Sequence, residues 1–105
     1  MSVLIVGGDH LGSIPKELNK IDVTDVRHIT GRSGQKIRDE IPEAIDFIIM
    51  LCDFVNHNLA YKIKKSAENK DIPILYAKRS WASIYQKMKE CQSQLRKAGL
   101  PLVLK

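Results

Sequence analysis

The chain has 105 residues, of which 44% are hydrophobic and 28% are charged. This length supports one hydrophobic core, this balance excludes a disordered chain, and no apolar run reaches the roughly 20 residues that span a bilayer. The formal net charge of +5 favours anionic partners such as phosphates, nucleotides or nucleic acid. We therefore expect one globular domain over residues 1–105 that makes no contact with a membrane.

The start of the chain and its two cysteines bear on the compartment. Residues 1–6 have neither a basic region nor a cleavage site, so they predict a first strand and not a signal peptide. Cys52 and Cys91 lie in segments of different predicted type. Without a secretory signal, we expect both to be reduced thiols in a cytoplasmic protein of bacterial type.

Four segments have the composition of strands. Residues 3–6 and 45–51 are almost continuous apolar runs, which is typical of central parallel strands that are covered on both faces. Residues 25–29 are more mixed, as on an edge strand. Residues 72–76 form the fourth strand, and Pro73 belongs at its start or on an edge because proline has no N–H.

Apolar residues at helical spacing predict a helix after each strand. The long last helix is expected to stop at Gly99, and the apolar tail 100–105 is either a fifth edge strand or a contact in a homodimer or larger homo-oligomer. The spaced apolar residues are Leu11, Ile14, Leu18 and Ile21; then Ile37 and Ile41, stopping near Pro42; then Leu59, Ile63 and Ala67; and finally Trp81, Ile84, Met88, Cys91, Leu95 and Ala98.

This alternation predicts a Rossmann-like, flavodoxin-like three-layer α/β fold with a four-stranded parallel sheet in the order 2-1-3-4. In such sheets, ligands bind beyond the carboxyl ends of the strands, where the strand order reverses. All three histidines, His10, His28 and His57, follow strand ends at this edge. The sequence therefore predicts a polar site there.

The turn after the first strand is rich in glycine, which lets the backbone approach a ligand. It departs from the dinucleotide fingerprint because Asp9 takes the place of the middle glycine, and a tight turn that needs small residues is the alternative interpretation. Arginines in the other loops supply planar donors suited to phosphate. The expected ligand-binding residues are Gly8, Asp9, His10, Gly12, Ser13, Gly31, Arg32, Asn56, His57, Arg79 and Ser80.

A second hypothesis places a transition metal or haem on His57 with His28, His10 or Cys52, since imidazole and thiolate are common ligands. No pair of them has tight ligand spacing, so histidines that hydrogen-bond in a polar pocket are the alternative. Cys52 is either a nucleophile before a helix start or, as we favour, a small buried residue that closes an apolar strand. We expect Cys91 to pack in the core; Trp81 either stacks on a base or ring of a ligand or, as we favour, packs in the core as well.

These observations favour a ligand-binding or regulatory domain for a small anionic molecule, a nucleotide or a phosphate compound, with a metal- or haem-binding sensor as the alternative. An enzyme ranks last because no nucleophile, base and orienting group can be assigned from sequence. Nucleic-acid binding ranks low because the chain lacks a recognition motif and aromatic platforms.

Several motifs resemble the family named domain of unknown function 2325, over roughly the first four-fifths of the chain. They are Val6-Gly7-Gly8, His28 followed by Gly31, the run 52–58, and the positions Lys62, Lys64 and Ser80. The chain departs from the family pattern at Asn56 and Asn58, which flank His57 where the family has serine and aspartate, and at Ile29-Thr30. The resemblance implies a small Rossmann-like domain that senses or binds a ligand, with haem or metal associated with some members.

Overall fold

The computed structural model describes residues 1–30, 41–42 and 44–100. Its four strands are all parallel and lie in the order β2-β1-β3-β4, which confirms the predicted topology. In the described ranges, no helix is long and apolar enough to cross a membrane. The elements are β1 (Ser2–Val6), α1 (Ile14–Asn19), β2 (Asp25–Ile29), β3 (Phe47–Leu51), α2 (His57–Lys70), β4 (Ile74–Ala77), α3 (Trp81–Glu90) and α4 (Gln92–Lys97).

The two central strands are buried on both faces, as their continuous apolar sequences predict. Successive side chains alternate between faces, so β1 and β3 each contribute to two cores. One face, with Val3, Ile5, Phe47 and Ile49, packs under α1, α3 and α4. The other, with Leu4, Val6, Ile48 and Met50, packs under α2 and against Ile41 and Ile45.

Strands β3 and β4 each begin two residues later than predicted. Asp46 and Pro73, which precede them, hydrogen-bond to neighbouring strands but are not themselves in a strand. The Asp46 carboxylate accepts a hydrogen bond from the Ser2 amide at 2.7 Å. The Pro73 carbonyl accepts one from the Ile48 amide at 2.9 Å. Pro73 thus lies directly before β4, and the expectation that it stands near the strand start is confirmed.

Helix α2 confirms its prediction, with Leu59, Ile63 and Ala67 buried on one face. Helix α1 is shorter than its apolar spacing predicts: Leu11 and Ile21 pack against the core from turns that flank it. In the second predicted helix, Ile41 is buried but lies outside any helix, and Ile37 is outside the described residues.

The prediction of one long final helix is wrong. The chain forms α3 and α4, separated at Cys91, whose φ of −98° and ψ of 6° depart from helical values. Ile84, Met88 and Leu95 are still buried on the same core, but Ala98 is exposed. Gly99 follows with a φ of +80°, so the predicted stop is confirmed. Of the tail 100–105, expected to be a fifth strand or an oligomer contact, Leu100 packs against the core outside any strand, and residues 101–105 lie outside the described residues.

Candidate anion-binding site at the carboxyl edge of the sheet

The turn after β1 is fastened to the neighbouring strands by its backbone. Gly7 and Gly8 are buried and have φ values of +114° and +69°, which L side chains rarely adopt. The Gly7 amide donates to the Ile29 carbonyl, and the Gly8 amide to the Phe54 carbonyl, both at 2.8 Å. A Cβ at Gly7 would lie 3.0 Å from the Phe54 carbonyl oxygen and 3.1 Å from that of Leu51. Only glycine fits this close approach of β1 to the loop after β3.

Arg79, in the loop after β4, joins this turn to the loop after β3. Its amide donates to Asp53 Oδ1 at 3.0 Å, and its Nη1 donates to the His10 carbonyl at 2.7 Å. The guanidinium carbon lies 4.8 Å from the centroid of the Phe54 ring. A side chain at Gly8 would come within 3.1 Å of Arg79 Cδ. Three loops therefore converge on one arginine, as parallel topology predicts for this edge.

The charge of Arg79 faces solvent in this arrangement. The residue is exposed, and a guanidinium has five N–H donors. Within the part of the chain that the structure describes, Nη1 donates to His10 and no carboxylate pairs with the guanidinium. Arg79 thus presents a fixed cation whose other donors can meet a ligand.

Two predicted ligand-binding residues cap helices instead. Asn56 Oδ1 accepts the amide of Asn58 at 2.8 Å at the start of α2. Ser80 Oγ accepts the amide of Ser83 at 3.1 Å at the start of α3. Ser13 begins α1 but makes no capping hydrogen bond with its side chain. Asn56 and Ser80 therefore shape the site through the helices that they start.

The three histidines differ in surroundings. His28 is half-buried and lies with Nε2 2.8 Å from the Gly7 carbonyl oxygen, to which it donates when its proton is on Nε2. His10 and His57 are exposed, and His57 is the first residue of α2. Of the three, His28 has a structural bond to the glycine turn, while the other two present their rings to solvent.

The histidines and Cys52 that were considered as metal ligands do not form a metal site in the described structure. Over residues 1–30, 41–42 and 44–100, no three His, Cys, Asp or Glu side chains come close enough to hold one. His28 is turned to the Gly7 carbonyl oxygen. We therefore derive no chemistry from a metal at His10, His28, His57 and Cys52.

Cys52 is exposed, so the interpretation that it is a buried residue closing β3 is wrong. Its Sγ lies 3.7 Å from the Met50 carbonyl oxygen, and its amide donates to the Ala77 carbonyl of β4 at 2.9 Å. Cys91 and Trp81 are half-buried and pack against the core under α3, as predicted.

Four predicted ligand-binding residues remain. Asp9 and Gly12 are exposed in the turn after β1. Gly31 and Arg32 lie outside the described residues. Asp53 and Phe54, which hold Arg79 in place, were not among the predicted ligand-binding residues. The available signal was an aromatic residue, half exposed here, in an otherwise polar loop after an apolar strand.

Comparison with known proteins agrees with the resemblance noted from the motifs. A family model described as an uncharacterised protein conserved in bacteria, domain of unknown function 2325, matches residues 2–91. No curated protein and no solved structure matches the chain. The matched residues run from β1 to the end of α3 and include every contact of Arg79 described above. The chain therefore belongs to the family of bacterial proteins named domain of unknown function 2325.

Proposed function

We propose that this domain binds a small anionic ligand, a nucleotide or a phosphate compound, at the carboxyl edge of its sheet. The observation that carries the proposal is the position of Arg79, which the turn after β1 and the loop after β3 hold at the rim with its charge toward solvent. A planar guanidinium donates to two oxygens of one phosphate, so a single held arginine selects and orients such a group.

Preorganisation favours binding at this position. The Arg79 side chain is held at the His10 carbonyl, the Phe54 ring and Gly8, so it loses little rotamer freedom when a ligand arrives. The Asp53 carboxylate, which would repel an anion, accepts the Arg79 amide. The exposed rings of His10 and His57 are further donors in the loop after β1 and at the start of α2.

In dinucleotide sites, the backbone amides of a glycine-rich turn contact the ligand, but here the amides of the turn after β1 are already used within the protein. The amides of Gly7 and Gly8 already donate to carbonyls of the neighbouring loops. Ligand contacts are therefore assigned to side chains, with Arg79 foremost, and the glycines set the distance between the loops.

A thermal-shift panel of inorganic phosphate, sulfate and nucleotides tests the proposal. A ligand at one hundred times its dissociation constant adds about 2.7 kcal/mol to the free energy of unfolding. For a domain of this size, that stabilisation raises Tm by roughly 10–20 °C. No shift with any member of the panel would contradict the proposal.

Matched variants locate the binding. Arg79→Gln removes the held charge, and each variant is compared with its own ligand-free Tm, so a loss of stability does not enter the result. Arg27→Gln is the control, because Arg27 is an exposed arginine on β2 that pairs with Asp25 at 3.2 Å. With inorganic phosphate or sulfate as the ligand, we expect Arg79→Gln to abolish the shift and Arg27→Gln to keep it. An equal shift in both variants would place the ligand elsewhere.

A further inference from the structure

A second concave surface lies between α1 and α3, on the sheet face that these helices cover. The cleft has a volume of about 610 Å³ and is lined by Glu17, Lys20, Ile21, Trp81 and Tyr85. This volume falls within the range of about 300–1,000 Å³ that is usual for small-molecule sites. Among the described residues, none that contacts Arg79 lines the cleft, so it is separate from the site proposed above.

One wall of the cleft is aromatic. Trp81 and Tyr85 are four residues apart on α3, so they lie on the same side of the helix. Their ring centroids are 5.9 Å apart and their planes are inclined at 52°, so neither ring covers the other in a parallel stack. Trp81 is anchored against the core, and Ile21 adds apolar surface at the opposite side. This wall suits a flat, apolar-faced ring.

The charges around the cleft oppose a cationic ligand. Glu17 is paired with Lys20, whose Nζ lies 3.2 Å from Glu17 Oε1. Beside the cleft, the ammonium of Lys89 lies 5.7 Å from the centroid of the Tyr85 ring and adds a second positive charge. Two ammonium groups therefore accompany one carboxylate, and the Lys20 side chain is 64% exposed. An anionic substituent is the complementary charge.

The geometry points to a binding site for a planar aromatic heterocycle that bears an anionic group. Its ring lies against Trp81 and Tyr85, and its anionic group lies toward Lys20 and Lys89. The Glu17 carboxylate is available to accept from an amino group of the ring.

Trp81 is the single tryptophan of the chain, so its fluorescence reports on this cleft directly. Adenosine 5′-monophosphate is the probe, with adenosine as the uncharged analogue and ribose 5-phosphate as the analogue without a ring. We expect a saturable change in Trp81 fluorescence with the monophosphate, a weaker affinity for adenosine, and no change with ribose 5-phosphate. No saturable change up to concentrations on the order of 5 mM would overturn the inference.

Variants separate stacking from charge. Tyr85→Ala is expected to weaken binding on the order of tenfold, because stacking on one aromatic side chain contributes that much. Tyr85→Phe, which keeps the ring, is expected to retain the affinity even if Tyr85→Ala is poorly folded. Lys20→Gln is expected to weaken the monophosphate and not adenosine. Tyr61→Ala, at an exposed tyrosine on α2, is the matched control and should leave the titration unchanged.

Two further outcomes decide the assignment. Arg79→Gln should leave the Trp81 titration unchanged, so failure of the first site and failure of this one are distinguishable. If Tyr85→Ala and Tyr61→Ala change the affinity equally, the cleft does not bind the ring. If Trp81 fluorescence instead changes with protein concentration in the absence of any probe, the cleft contacts a second copy of the chain and the inference is overturned.

Discussion

Substitution of Gly7 by alanine tests the close approach on which the candidate site is built. Gly7 has a φ of +114°, which is outside the regions that an L residue adopts without strain. Its new methyl group would lie 3.0 Å from the Phe54 carbonyl oxygen and 3.1 Å from Leu51 Cβ. The Phe54 oxygen belongs to the backbone and the Leu51 Cβ is fixed to it, so rotation of a side chain cannot relieve either contact.

The expected loss combines two effects. A non-glycine residue in such a conformation costs about 1–3 kcal/mol. Movement of the turn away from Phe54 also weakens the bond from the Gly8 amide to the Phe54 carbonyl, which is worth about 1 kcal/mol. We therefore expect Gly7→Ala to lower the free energy of unfolding by about 3 kcal/mol, and Tm by roughly 12–24 °C.

Urea denaturation at equilibrium measures this change, and Gly12→Ala is the control. Gly12 also has a positive φ, +56°, but a Cβ there would meet nothing within 4 Å. Gly12→Ala should therefore carry the backbone cost alone, about 1 kcal/mol. If the two variants lose the same stability, the contact of Gly7 with the loop after β3 is not what requires glycine, and the convergence of the loops is misjudged.

Three further predictions concern other contacts at this edge. Ser80→Ala removes the cap of α3 and should cost about 1 kcal/mol by urea denaturation; an unchanged midpoint would show that the capping hydrogen bond adds nothing. His28→Phe leaves the Gly7 carbonyl without its side-chain partner and should cost about 1–2 kcal/mol in the same assay, whereas a gain in stability would mean that the ring is there for packing. In the native protein, a chromogenic disulfide reagent should label Cys52 rapidly and Cys91 only slowly, with both labelled at equal rates in denaturant; equal rates in the native protein would contradict their different exposure.

The topology of the sheet could be predicted because burial on both faces leaves a direct mark on composition. Residues 3–6 and 47–51 are apolar at every position, which the central strands of a parallel sheet require. The mixed residues of β2, by contrast, suit an edge. Once the order of strands was assigned, the edge that holds the loops followed without any further motif.

The break between α3 and α4 could not be predicted because nothing in the local sequence signals it. Cys91 is neither proline nor glycine, and apolar residues continue at helical spacing on both sides of it. Both helices pack on the same core, so the periodicity survives the interruption. Periodicity reports which face is buried and is insensitive to a break of one residue.

The role of Arg79 was only partly predictable. Its place in a short polar loop at the carboxyl edge indicated a ligand contact. That Asp53 holds its amide, and that Phe54 lies under its guanidinium, depends on contacts between loops that are distant in sequence. The exposure of Cys52 could not be predicted because no residue type marks Leu51 as the last residue of β3, and the chain enters a turn at Cys52.

The place of β1 between β2 and β3 also bears on how the chain folds. Pairing of β1 with β2 closes only the short connection through α1. The other edge of β1 stays unpaired until β3, Phe47–Leu51, is added to the sheet. On a ribosome, residues 1–46 would therefore emerge with one edge of β1 unpaired and with the β3 residues absent from both cores. Closing the longer loop to β3 is the entropically demanding step, so that step is expected to limit the rate of folding.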